Sequence, residues 1–243
     1  MLFRSPVAEK ATKDIVYVLK WIKGLTVQFV YDNGTDPLSV DVDQYSTVDQ
    51  PEDPTKKGYD FAGWFNGKNE YEFSTPVTAS IILTAHWTPK KMTVTFNTNG
   101  GSEIDAVQVD YDTAVDEPIA PTKENYVFAG WTLDGEQYNF AAAVKSDITL
   151  VAQWTEAVAK IGDVYYATLA EAFEAAQTGD TIVLLKDVTI DSITVDRTVT
   201  LDPDGHEVKS DAAQLFLVAG ISRSPATARS RGLQTARALT VKC

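Results

Sequence analysis

The stretches Lys57-Gly-Tyr-Asp-Phe-Ala-Gly-Trp64 and Glu124-Asn-Tyr-Val-Phe-Ala-Gly-Trp131 decide the fold of this chain, because the second repeats the first 67 positions further on. The same shift of 67 residues relates many other identical positions, and its register never slips. It links Val27 to Val94, Phe29 to Phe96, Pro54 to Pro121, Tyr71 to Tyr138, Leu83 to Leu150 and Trp87 to Trp154. A fixed period of this length indicates two tandem copies of one small unit.

Within each copy the residue pattern is that of β-strands separated by tight turns. Apolar and polar residues alternate over residues 93–97 and 107–111, and residues 148–154 form a mostly apolar run. The sequence Asn99-Gly-Gly101 supplies residues that tolerate the positive φ values of tight turns. The pattern therefore predicts a mainly β unit, with room for one short helical turn over residues 141–144.

A partial third copy stands at the start of the chain. Residues 14–21 have the pattern of residues 147–154, the closing strand of the second copy. We expect a strand there without its native neighbours, which would fray or pair with another edge. Residues 1–24 are thus interpreted as the end of a preceding repeat plus a linker, which implies that the chain begins inside a longer array.

The two copies resemble the Listeria-Bacteroides repeat, also called the internalin B-type B repeat. The resemblance covers about residues 25–155 and rests on the spaced aromatic residues, the Pro-Thr-Lys sequence before them and the closing Trp-Thr. It implies a β-grasp-like module in bacterial surface proteins, with modules expected at residues 25–88 and 89–156. Gly58 of the first copy is Asn125 in the second, which leaves open a different turn there.

After Trp154 the period ends and a different pattern begins. Thr168 and Glu171 have the spacing of a capping box, in which each side chain accepts a hydrogen bond from a free backbone N–H at a helix start. One apolar stripe follows, and Gly179 stands where the helix is expected to stop. The stripe consists of Leu169, Ala172, Phe173 and Ala176. Short strands with polar corners are then predicted over residues 181–185, 188–190, 193–195 and 199–201.

Residues 157–218 resemble the N-terminal cap and first coils of right-handed parallel β-helix proteins. The expected fold class is therefore mainly β, with two tandem β-grasp-like repeat modules and the start of a parallel β-helix that has one short capping α-helix. Residues 219–243 are expected to form an irregular basic tail. The abrupt change of composition at Ser222 suggests a reading-frame artefact, which resequencing of the source DNA would test.

Composition excludes several classes of function. With 34 acidic and 21 basic side chains the formal charge is −13, so nucleic acid and anionic membrane surfaces would be repelled. Cys243 is the single cysteine, which rules out an intrachain disulfide. Because no apolar run approaches the roughly 18 residues of a membrane span, no membrane insertion is expected, and export and anchoring signals are expected outside this piece.

Residues suited to catalysis or metal binding are sparse. His86 aligns with Gln153, so that position does not require imidazole chemistry, and His206 is read as a solenoid corner. No G-x-S-x-G elbow accompanies a serine nucleophile. Four acidic residues could supply calcium ligands, but the spacing of a calcium loop is missing, so solvated surface is the preferred interpretation. They are Asp32, Asp36, Asp202 and Asp204. We expect no catalytic residues, no metal and no cofactor.

The aromatic residues admit two interpretations. Trp64, Trp131, Tyr59 and Tyr126 could form a platform on which a glycan stacks. A unit of 67 residues without disulfides, however, needs large side chains to make a core, so we interpret these rings as core.

Repetition without catalytic residues favours a stalk or adhesive segment of a bacterial cell-surface protein. Such a segment would be an extracellular, elongated monomer that holds a functional tip away from the cell and contacts host protein or glycan. One alternative is the non-catalytic N-terminal part of a β-helix enzyme that degrades polysaccharide. Another is a phage or secretion-associated attachment protein.

Overall fold

The computed structural model describes residues 24–189, 193–195, 197–209, 216–218 and 239–241. The strand expected over residues 14–21, and the tail from Ser222 to residue 238, lie outside the described residues. The described part of the chain is mainly β, as predicted, and contains one α-helix.

The first copy forms a five-stranded mixed sheet. Its strands are β1 (Gly24–Val30), β2 (Leu38–Asp43), β3 (Tyr59–Asn66), β4 (Asn69–Glu70) and β5 (Ile81–Pro89), in the spatial order β2-β1-β5-β3-β4. The central strands β1 and β5 are parallel, and the other neighbours are antiparallel. Because parallel strands cannot be joined by a tight turn, the sheet closes only when the first and last strands of the copy meet.

The second copy repeats this plan. Its strands are β6 (Lys91–Asn97), β7 (Val107–Asp110), β8 (Tyr126–Leu133), β9 (Glu136–Gln137) and β10 (Ile148–Glu156), in the order β7-β6-β10-β8-β9. The register is also the same, since Val27 lies opposite Ile81 and Val94 lies opposite Ile148. In place of the helical turn predicted over residues 141–144, the chain makes a single turn in which the Ala142 N–H donates to the Asn139 carbonyl at 2.9 Å.

Both copies contain the same β-bulge. Strand β3 skips Ala62 in its pairing with β5, and β8 skips Ala129 in its pairing with β10. The glycine that follows each bulge, Gly63 or Gly130, has a φ of 125° or 115°, a conformation that residues with a side chain rarely adopt. The Ala-Gly-Trp sequence of each copy is thus explained by backbone geometry before packing is considered.

Each copy buries the same set of positions. In the first copy the buried apolar residues are Leu25, Val27, Phe29, Val48, Trp64, Val77, Leu83 and Ala85. In the second copy the residues 67 positions later are buried too, with Leu25 as the one exception: Val94, Phe96, Val115, Trp131, Val144, Leu150 and Ala152. The sequence period is therefore a period of burial.

The C-terminal region begins with a hairpin and a short helix. These elements are β11 (Ala159–Ile161), β12 (Val164–Tyr166) and α1 (Leu169–Ala175). The capping box is confirmed, because the Thr168 N–H donates to Glu171 Oε2 at 3.0 Å and the Glu171 N–H donates to Thr168 Oγ1 at 3.2 Å. The helix ends at Ala175, earlier than Gly179, and Gly179 instead serves the turn before the next strand with a φ of 97°.

Short strands with parallel partners follow the helix. They are β13 (Thr181–Leu184), β14 (Val188–Thr189), β15 (Ile193–Val195), β16 (Val199–Asp202), β17 (Val208–Lys209), β18 (Phe216–Val218) and β19 (Leu239–Val241). The pairs β13 with β16, β14 with β17 and β15 with β18 are all parallel. Strand β19 pairs antiparallel with β16, so the tail contributes a strand where the sequence predicts irregular chain. It satisfies backbone groups at an otherwise open sheet edge.

The chain divides into two compact units. The first contains residues 24–92 together with Val109–Thr113 and Ala143–Ser146, and the second contains the other described residues. The module boundaries predicted from the sequence remain predictions.

Candidate functional site

A lysine lies over two aromatic rings at the start of strand β3. The Nζ atom of Lys56 is 5.0 Å from the ring centre of Tyr59 and 5.6 Å from that of Trp87, both within the range of a cation–π interaction. The same Nζ lies 3.2 Å from Oδ2 of Asp32. We call Lys56, Tyr59 and Trp87 the lysine–aromatic cluster of the first copy.

The second copy contains the matching lysine–aromatic cluster of Lys123, Tyr126 and Trp154. Here Nζ of Lys123 is 4.6 Å from the Tyr126 ring and 5.7 Å from the Trp154 ring. Asn99 replaces the aspartate of the first copy, and Lys123 donates a hydrogen bond to its backbone carbonyl at 2.9 Å. The lysine is therefore held over the rings with or without an acidic partner.

Backbone hydrogen bonds fix the indoles of both clusters. Nε1 of Trp87 donates to the Tyr31 carbonyl at 3.0 Å, and Nε1 of Trp154 donates to the Thr98 carbonyl at 2.9 Å. Since both indole N–H groups are used inside the fold and an ammonium lies over each ring, the clusters hold strands together and present no open aromatic platform.

Trp64 and Trp131 are core residues, as the preferred interpretation predicts. Their exposed fractions are 1% and 0%, and their rings meet neighbouring aromatic rings edge to face. Neither indole N–H has a hydrogen-bond partner. These two rings are too deeply buried to stack on a glycan, whereas Tyr59 and Tyr126 are half-buried in the lysine–aromatic clusters.

His86 lies on the exposed face of strand β5, stacked on Phe65 with ring centres 3.9 Å apart and an angle of 6°. The second copy has Gln153 and Thr132 at these positions, and Nε2 of Gln153 donates to Oγ1 of Thr132 at 2.9 Å. A ring stack and a hydrogen bond thus fill the same place in two copies of one fold. This position serves cross-strand packing and does not require imidazole chemistry.

His206 belongs to a corner of the C-terminal region. Its Nδ1 is 3.5 Å from Oδ1 of Asp187, and the same oxygen accepts a hydrogen bond from the backbone N–H of Glu207 at 2.9 Å. The backbone hydrogen bond, and then His206, lower the pKa of Asp187 below its ordinary value. The contacts are those of a structural corner.

The acidic residues considered as calcium ligands have other partners or remain exposed. Asp32 pairs with Lys56, and Asp202 Oδ1 accepts a hydrogen bond from the Asp204 N–H at 3.0 Å. Among the described residues, no group of three or more His, Cys, Asp or Glu side chains is arranged to hold a metal ion. Within the same residues, no helix has the length and apolar character needed to cross a membrane.

The turn before each cluster tyrosine is the same in both copies. The Tyr59 N–H donates to the Lys56 carbonyl and the Tyr126 N–H to the Lys123 carbonyl, both at 3.1 Å. Gly58 and Asn125 have φ values of 80° and 62°. The different turn left open by the sequence does not occur, because asparagine tolerates this left-handed conformation better than most residues with a side chain.

The sequence does not predict that the lysines lie over the rings. The signal was present, since Lys56 and Lys123 end the repeated Pro-Thr-Lys sequence. That sequence marks the position as special, but the ring contacts join residues that are far apart in the chain.

Comparison with known proteins agrees with this geometry. The model of the Listeria-Bacteroides repeat domain matches residues 26–86 and 93–153. Internalin H of Listeria monocytogenes is 34% identical over 137 residues, which are 52% of this chain and 25% of that protein. Two proteins of Evansella cellulosilytica, named as a candidate membrane protein and a candidate Gly-rich membrane protein, are 34% and 31% identical over 156 and 152 residues.

These relatives are much longer than the matched region. The two Evansella alignments cover 60% and 59% of this chain but only 24% and 18% of those proteins. No solved structure matches the chain. Because two successive matches to one family model cover half of its residues, each on its own copy of one five-stranded sheet, this protein belongs to the Listeria-Bacteroides repeat family.

Proposed function

We propose that this chain is a non-catalytic repeat segment of a bacterial cell-surface protein that acts as a stalk or adhesion module. The observation that carries the proposal is that both copies use their conspicuous side chains in the same internal contacts. The tryptophans are buried, and the lysines lie over the remaining cluster rings. Residues used in this way stabilise a repeated unit and leave no catalytic arrangement among them.

The relatives support an extracellular location. Internalin H carries the name of the internalins, and the Evansella proteins are named as candidate membrane proteins. Since the chain spans a quarter or less of these relatives, a functional tip and a membrane or wall anchor would belong to the rest of the parent protein. The partners proposed for the segment are host protein or glycan.

We further propose that each module is β-grasp-like and that residues 157–218 form the cap and first coils of a right-handed parallel β-helix. The parallel central pair of each five-stranded sheet supports the first statement. Three consecutive strands, β13 to β15, pair in parallel with the next three, β16 to β18, which supports the second.

An exchange of the repeats in the parent protein tests the function. One strain deletes residues 25–156, and a second replaces them with an unrelated folded spacer of similar length. If the segment is a stalk, the deletion lowers attachment to host cells or glycan-coated beads and the spacer restores it. If the segment is adhesive, attachment stays low with the spacer. Attachment that is unchanged by the deletion would contradict both roles.

The second candidate function is the non-catalytic front part of a β-helix enzyme acting on polysaccharide. The parallel strand pairs of the C-terminal region favour it, since further coils would carry its active site. Polysaccharide cleavage by the complete parent protein, measured as released reducing ends on plant and host glycans, would support this function over the first.

A further inference from the structure

Tyr111, a residue of the second repeat, lies on the Gly58 turn of the first repeat. Both residues belong to the first compact unit, because Val109–Thr113 is part of it. The Tyr111 N–H donates to the Lys90 carbonyl at 2.8 Å, and the Lys90 N–H donates to the Gly58 carbonyl at 2.9 Å. The Tyr111 ring meets Tyr59 edge to face, with ring centres 5.6 Å apart.

The ring of Tyr111 occupies the space that a side chain at position 58 would need. A Cβ atom built on Gly58 would fall among the ring carbons Cγ, Cδ1 and Cδ2 of Tyr111. Any residue other than glycine would therefore displace the tyrosine or move the backbone.

The turn itself does not require glycine. Asn125 forms the same turn in the second repeat, and its carbonyl accepts the matching hydrogen bond, from the Ala157 N–H at 2.9 Å. Asn125 is exposed, whereas Gly58 is half-buried. The difference between the two turns is the tyrosine that covers the first one.

The position of Tyr111 is occupied by Gln44 in the first repeat. The Ser46 N–H donates to Asp43 O at 3.0 Å there, and the Thr113 N–H donates to Asp110 O at 3.1 Å in the second repeat, so the two loops share one turn. The Gln44 side chain donates to the Thr78 carbonyl of its own repeat at 3.2 Å. The loop therefore accepts either a glutamine or a docking tyrosine.

We infer that Gly58 and Tyr59 form a docking site whose partner is the tyrosine of the following repeat. Glycine at this position admits a further repeat, and asparagine, as at position 125, closes the site to one. The pair of Gly58 and Tyr111 thus identifies a junction between consecutive repeats, independently of whether the array serves as a stalk or an adhesin.

Hydrogen exchange on the full chain tests the inference through single amides. We expect Gly58→Asn to speed exchange of the Tyr111 amide about tenfold or more, while the Asp112 amide, bonded to the Val144 carbonyl, stays protected. Asn125→Gly is the matched control, because it makes the reverse change in a turn without a tyrosine over it. It should leave the Tyr111 amide unchanged.

Tyr111→Gln tests the docking without altering the turn. It installs the residue that the first repeat carries, and we expect the amide of residue 111 to exchange about tenfold faster. In this background Gly58→Asn should lower the melting temperature much less than in the parent chain. An unchanged amide in Tyr111→Gln, or an equal loss of melting temperature from Gly58→Asn in both backgrounds, overturns the inference.

Discussion

The buried indoles of Trp64 and Trp131 show what single residues contribute to each repeat. Each ring is almost fully enclosed and meets other rings edge to face, with centres 4.9 Å apart for Phe29 and Trp64 and 5.1 Å apart for Phe96 and Trp131. Their N–H groups have no acceptor, so shape and aromatic contact account for the choice of tryptophan. A small unit without disulfides depends heavily on such side chains.

Trp131→Ala should unfold the second repeat. Truncation of a buried tryptophan costs about 3–5 kcal/mol, against about 5–15 kcal/mol for a typical whole domain. Trp131→Phe should cost clearly less, because it keeps an aromatic ring and removes a buried donor without an acceptor. Urea unfolding followed by circular dichroism measures both, and a native-like curve for the alanine variant would contradict the core role.

Lys56 and Lys123 form a matched pair for separating charge pairing from ring contact. Asp32→Asn gives the first cluster the residue type of the second, and it should lower the free energy of unfolding by less than about 1 kcal/mol, since the pair is partly exposed. The loss should nearly vanish at about 1 M NaCl, where the screening length is about 3 Å. Lys123→Met, which breaks no acidic pair, should show little salt dependence in denaturant titrations.

At the scale of elements, helix α1 is defined at its start by side chains and at its end by its neighbours. Thr168 and Glu171 satisfy two backbone N–H groups, and the buried stripe fixes the face that points inward. The helix stops at Ala175, four residues before the glycine that would terminate it on sequence grounds. The turn that leads into β13 uses that glycine instead.

Removal of the cap should weaken the region that α1 covers. Thr168→Ala should reduce the free energy of unfolding by about 1 kcal/mol, because one N–H at the helix start loses its acceptor. Thr168→Ser keeps the hydroxyl and serves as the control. A thermal melt in which the serine variant loses as much as the alanine variant would show that the hydroxyl does not act as the cap.

The corner between Asp187 and Glu207 should be sensitive to acid. The pKa of Asp187 is lowered in the folded chain, mainly by the backbone N–H of Glu207. Its contribution is therefore fully present above the ordinary carboxyl pKa and is lost as the pH falls through the lower folded value. An NMR titration should place the Asp187 midpoint below that of a free aspartate, and a midpoint at or above the free value would refute the assignment.

At the scale of the whole molecule, the formal charge of −13 sets its behaviour towards other polymers. We expect the chain to pass through a heparin column at low salt and to bind an anion exchanger, because its excess of carboxylates repels polyanions. Retention on heparin would mean that local basic residues outweigh the net charge. Host partners with basic surfaces are favoured on the same ground.

Several features of the fold could be predicted from residue patterns. Alternating residues predicted the strands, and the shared period of 67 residues predicted that Trp64 and Trp131 are buried in equivalent places. Local rules also predicted the capping box at Thr168. These features depend on residues that lie close together in the chain, or on the comparison of one copy with the other.

The sequence by itself determined the repeat, the mainly β character and the identity of the buried rings, because periodic side-chain chemistry reports burial directly. The tertiary structure alone decided that the first and last strands of each copy are parallel neighbours, that a lysine lies over the cluster rings, and that Tyr111 covers Gly58. Each of these joins residues distant in the chain, and their contact exists only once the sheet has closed. Glycine at position 58 therefore reads as a simple turn residue until the fold brings Tyr111 over it.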